Sequence, residues 1–181
     1  MGGTVRLNKA RFLGTFLLSF ALLLVLWKAS GATRWYSDAL LRGAAWVGPA
    51  LHGWVLQFDP PGQPVWLRGN DRVRAALQFD ALGIALVPAL ALFAATPGLR
   101  VRRRVGLMLC GAVLCFMVDV LIVALFPLLV FYKNAFTDIL GTFLGLIAFV
   151  GAPVMIWFGL TFQELQQMLP SLRRSAGDIK A

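Results

Sequence analysis

From Val105 to Phe131 the chain carries a single charged side chain, Asp119, and no other feature constrains the fold as tightly. At about 1.5 Å of rise per residue, a helix of this length exceeds the ~30 Å hydrocarbon thickness of a bilayer. Directly before the run stands Gly98-Leu99-Arg100-Val101-Arg102-Arg103-Arg104. Short segments rich in Lys and Arg stay on the cytoplasmic side of a membrane, so this junction predicts orientation as well as crossing.

The rest of the sequence points to the same class. Hydrophobic residues make up 59% of the 181 and charged ones only 14%, against about 25% charged in ordinary soluble domains. Four apolar runs have spanning length, at about 12–32, 79–95, 105–131 and 139–160. The expected fold is therefore an all-α integral membrane protein, a single membrane domain over residues 1–181. It has four transmembrane helices, an outer loop at 33–78 and a cytoplasmic tail at 163–181. The first run follows Arg6, Lys9 and Arg11 and is not followed by a small-x-small cleavage site, so it reads as an uncleaved helix. With both termini cytoplasmic, ten basic residues lie inside and seven outside, most of the outer ones in the long loop where the charge rule is weak.

The net charge of +9 is spent on the flanks of apolar runs and forms no continuous stripe, so the bilayer is the expected partner and nucleic acid is not. Within the outer loop, Leu40, Ala44, Val47, Leu51, Trp54 (or Val55) and Phe58 recur at spacings of three and four, with Asp38, Arg42 and His52 off that stripe. The spacing predicts an amphipathic helix over 39–58, broken near Pro49 and lying at the outer surface, or else re-entrant. Four of the six tryptophans (Trp35, Trp46, Trp54 and Trp66) fall between the first two spans and Trp27 near the end of the first, where interfacial anchoring is expected. Val65-Trp66-Leu67 and Val73-Arg74-Ala75 around Gly69-Asn70-Asp71 allow a small hairpin.

Few residues carry chemistry. Asp119 sits far from either end of the third run, and an intramembrane carboxylate costs about 2.5–3.5 kcal/mol on insertion scales, so it should face protein or water. It is either a proton relay or polar glue to Thr15, Ser19 or Thr142 on a neighbouring helix. Asp80 opens the second run, where a carboxylate complements the helix dipole. Gly141 and Gly145 form a small-xxx-small face suited to close helix packing. Cys110 and Cys115 point about 140° apart on one helix, so they do not pair with each other. There is no Gly-rich phosphate loop, no His-Glu-x-x-His and no Gly-x-Ser-x-Gly, so no catalytic residue, metal site or cofactor is expected.

The order of these parts resembles the exosortase/archaeosortase superfamily of membrane transpeptidases over roughly residues 60–145. Asp80-Ala81-Leu82-Gly83 looks like the helix that begins Cys-Ser-Gly in that family, with Ala81 at the cysteine position. Arg100 to Arg104 is similar to the basic cytoplasmic turn. Asp119-Val120-Leu121-Ile122 falls at the Asn-x-x-Arg element with Ile122 for arginine, and Thr137-Asp138-Ile139-Leu140-Gly141 at the histidine element with Thr137 for histidine. The spacing from Ile122 to Thr137 is short for the family. A thiolate nucleophile has no substitute in alanine, so the resemblance implies a non-catalytic relative, similar to exosortase-associated membrane proteins. It further implies a Gram-negative inner membrane and a sorting transpeptidase as partner.

The reading that follows is a non-enzymatic accessory subunit that meets a membrane partner through its third and fourth helices. Two alternatives remain open at this level: a small proton-coupled transporter or channel-like protein using Asp119, and a membrane enzyme acting at the periplasmic face through Asp80, His52 and Asp138.

Overall fold

A computed structural model describes residues 9–59, 63–74, 83–132 and 134–168. The chain is mostly helical, and among the described residues it forms six helices and one three-stranded sheet. In chain order these are α1 (Lys9–Ala29), α2 (Ala32–His52), β1 (Val55–Asp59), β2 (Gln63–Arg68) and β3 (Asp71–Arg74). There follow α3 (Leu86–Ala95), α4 (Val101–Phe131), α5 (Ala135–Leu146), a π-helical turn (Ile147–Gly151) and α6 (Ala152–Met168). Two of the helices, α1 and α4, are long and apolar enough to cross a membrane.

The boundaries have local causes. Gly31 and Gly53 take left-handed backbone (φ 67° and 74°), the first breaking the helix between α1 and α2, the second closing α2 with its N–H on the Pro49 carbonyl. Pro97 drives the residue before it out of helical space: Thr96 is extended (ψ 116°), and α3 stops at Ala95. Arg100 is extended as well (ψ 143°), so α4 starts afresh at Val101. Asn134 caps α5 by accepting from the Thr137 N–H, while the Thr137 hydroxyl accepts from the Asn134 N–H.

The main core is not where four parallel spans would put it. Antiparallel register aligns Leu56 with Trp66 and Trp66 with Val73, so one face of the sheet presents these three side chains together. All three are buried, and they pack with Leu40, Leu41 and Ala44 of α2 and Val120, Val123 and Ala124 of α4. Gly48 is the point of closest approach: a Cβ there would lie 2.7 Å from the Trp66 ring. Trp54, fully buried at the start of the sheet, stacks edge-on against Phe131 with ring centroids 5.2 Å apart.

Helix α2 is laid steeply across α4. From Tyr36 to His52 it advances about 24 Å at ordinary helical rise. Its partners on α4 advance only from Asp119 to Ala124, about 8 Å by the same measure. A second, smaller cluster joins Leu86 and Ala89 of α3 to Cys115 of α4, with Trp27, Ala112 and Ile156 around it. Helix α3 is thus wedged among α1, α4 and α6.

Several expectations are corrected. The all-α class gains a three-stranded sheet, one strand more than the hairpin, because Gly53 ends α2 and frees Val55 to Asp59 for pairing. The amphipathic helix covers 32–52 in place of 39–58. It also passes Pro49 unbroken, and its buried stripe is Leu40, Leu41, Ala44 and Gly48, while Leu51 is exposed. The arginines at 102, 103 and 104 belong to the first turn of α4 and not to a loop. The second run is helical over Leu86–Ala95 within the described residues, and the fourth extends from Ala135 to Met168 with the π turn inside it.

Candidate functional site

The polar groups singled out in the sequence occupy three separate places. Asp119 is the most enclosed, 2% exposed on α4. Its partner is Tyr36 of α2, whose hydroxyl donates to Oδ2 at 2.7 Å. The phenol ring is held edge-on between Trp27 of α1 and Phe116 of α4, with centroids 5.6 and 5.7 Å away. Burial, then the bond to Asp119, push the Tyr36 hydroxyl far above its ordinary range, which keeps it a donor at any working pH. The bond clamps the N-terminal part of α2 onto α4 and replaces the expected partners Thr15, Ser19 and Thr142. Thr15 instead donates to the Arg11 carbonyl and Thr142 to that of Asp138, each within its own helix.

His52 clamps the other end of α2. Its Nε2 lies 2.6 Å from the Ala124 carbonyl, and its Nδ1 accepts from the Trp54 N–H at 3.1 Å. The ring is therefore the Nε2–H tautomer. Pro127 has no N–H to offer the Val123 carbonyl four residues back, and the carbonyl that His52 meets is the next one along, that of Ala124. Both bonds are structural and leave His52 no free nitrogen for acid–base work.

Asp138 is exposed in the first turn of α5, and no hydrogen bond among the described residues joins it to His52. Asp80 lies outside the described residues, as does Ala81. Gly141 and Gly145 lie on α5, a helix with no buried residue. A Cβ at Gly145 would meet nothing within 4 Å, and one at Gly141 only the tip of Leu129. Around them Phe136, Ile139, Phe143 and Leu146 are all exposed. Cys110 is exposed, Cys115 is buried, and both are free thiols.

The arginine cluster forms the third place. Arg104 donates to the Thr96 carbonyl at 3.0 Å, and the Thr96 hydroxyl donates to Leu92 and accepts from the Trp157 indole at 2.9 Å. Thr96, fully buried, thus ties the end of α3 and the start of α4 to α6. Arg103 pairs with Glu164 of α6. Arg100 and Arg102 are exposed and have no side-chain partner among the described residues. These two, with Gly98, Leu99, Arg103, Gln163 and Glu164, line a cavity of about 600 Å³. No group of three or more His, Cys, Asp or Glu among the described residues is placed to hold a metal ion.

Comparison with family models, with curated proteins and with solved structures returns no match.

Proposed function

We propose that the chain is a multi-pass protein of a bacterial inner membrane, with cytoplasmic termini, serving there as a non-enzymatic accessory subunit. Support for the membrane begins with α1, whose apolar window has a mean hydropathy of 2.0 and no buried residue. Large apolar side chains stay exposed along α1 (Leu17, Leu18, Leu22, Val25), along α4 (Leu109, Val113, Met117) and along α6 (Val154, Met155). An apolar surface running through three helices exceeds what a soluble monomer leaves in water, and lipid removes the cost. The start of α4 adds a second argument. Cations are disfavoured at a helix N-terminus, yet this one has arginines at 102, 103 and 104 and no acidic residue in its first turn. Positive-inside orientation explains the arrangement. In this reading α3, about 15 Å long and too short to span alone, forms part of the second crossing, and the unbroken stretch from α5 to α6 supplies the fourth.

The accessory role rests on one observation: α5 has no buried residue and exposes Phe136, Ile139, Phe143 and Leu146. Small residues let helix backbones approach closely in lipid, and within the chain no helix backbone closes on Gly141, which meets only the tip of Leu129, or on Gly145, which meets nothing. A partner helix seated on α5 would. The resemblance to exosortase-associated proteins makes a sorting transpeptidase the first partner to test. Gly145→Leu is the discriminating variant. It should leave thermal unfolding of the purified protein unchanged or slightly raised, since leucine favours helix and meets open space. It should also abolish recovery of the partner when the tagged protein is purified from mild detergent. Undiminished recovery removes α5 as the contact; a protein that purifies only as a stable monomer removes the accessory role.

A further inference from the structure

The cavity between the α3–α4 turn and α6 has a composition the accessory role does not use, and we infer that it is a binding site for the phosphate group of an anionic phospholipid. The inference rests on the proposed orientation, which sets this end of α4 at the cytoplasmic headgroup level. Three guanidinium groups line the cavity, those of Arg100, Arg102 and Arg103. Glu164, 8% exposed, lies on the same wall; its charge is met by Arg103, though neither of its oxygens accepts a hydrogen bond among the described residues, and Arg100 and Arg102 remain as uncompensated cations. Arg104 is fixed elsewhere, on the Thr96 carbonyl.

The backbone adds a matching set of donors. Arg100, the residue preceding α4, makes no side-chain cap, and the first intrahelical amide bond runs from the Arg104 N–H to the Arg100 carbonyl. The N–H groups of Val101, Arg102 and Arg103 are thus left at the helix end beside the cavity. A phosphodiester there would accept from these amides and from the two free guanidiniums. It would also reverse the unfavourable meeting of cations with the positive end of the helix dipole. The cavity's volume suits a headgroup, while the exposed apolar flanks of α4 would line its acyl chains. Basic pockets between helices at the cytoplasmic face are the usual setting for anionic headgroups.

The test uses the purified full chain in detergent, with phosphatidylglycerol and phosphatidylcholine added in equal amounts and bound lipid counted by native mass spectrometry. Wild type should retain phosphatidylglycerol in preference. Arg100→Gln with Arg102→Gln should weaken that retention about 25-fold, at about fivefold per arginine. Lys28→Gln with Arg34→Gln, an equal charge loss on exposed residues at the α1–α2 junction, should leave it unchanged. Equal loss in both double variants, or none in the first, overturns the site. Added inorganic phosphate assigns the source. Displacement of the lipid means the phosphate group alone suffices, and persistence means the acyl chains are needed, the site standing in both cases. Release of the protein from membranes by alkaline carbonate would sink the membrane reading, leaving the phosphate arm to test the cavity by itself.

Discussion

Tyr36 and Asp119 are worth more as a pair than either is alone. Removing only the phenol hydroxyl strands a carboxylate that is 2% exposed, and an unsatisfied buried acceptor costs about 1–3 kcal/mol. Tyr36→Phe should lower the stability of the detergent-solubilised protein by that amount in denaturant unfolding. Tyr36→Phe with Asp119→Leu should recover most of the loss, because no polar group then remains buried. A double variant as unstable as the single one would mean that Asp119 has another essential partner. The carboxylate's isolation was legible in the sequence, since a charged residue in an apolar run must be satisfied somewhere. Its partner was not, because Tyr36 falls in what reads as an exposed loop. The missed signal is spacing: Tyr36, Leu40, Ala44 and Gly48 recur every fourth residue, so the stripe that buries α2 starts one turn earlier than Leu40.

Among elements, α2 depends most on its junctions. Gly31 holds φ at 67° with open space around it, so any penalty there is purely conformational. Gly31→Val should cost about 1–2 kcal/mol in thermal unfolding, and Gly31→Asn clearly less, since asparagine tolerates left-handed backbone. Equal costs would point to packing in place of backbone. The long apolar helices α1 and α4 were readable from composition, because each is apolar over a length sufficient to cross a membrane and shows little polar face. The sheet was only half readable. Its β2–β3 turn announces itself through Gly69-Asn70, with positive φ at Gly69 alone as a II′-type turn requires. Strand β1 does not, because Val55 to Phe58 also continues the helical spacing of α2, and only the break at Gly53 decides between the two periods. The π turn at Ile147–Gly151 had no sequence signal.

At the scale of the whole molecule, the proposed orientation makes one direct demand. In a background lacking Cys110 and Cys115, a cysteine at Asn70 should react with a membrane-impermeant thiol reagent added outside intact cells. One at Arg102 should react only after the membrane is opened. The opposite pattern inverts the molecule, and labelling of both from outside removes the membrane reading. The steep crossing of α2 over α4 also fixes an order of events during synthesis. Tyr36 leaves the ribosome 83 positions ahead of its acceptor, and the sheet follows long before Val120, Val123 and Ala124 exist to cover it. The sheet that carries Trp66 must therefore wait, unfinished, until α4 has been made. Nascent chains arrested near residue 110 should accordingly be cut by protease within 55–74, and chains arrested well past Phe131 should resist.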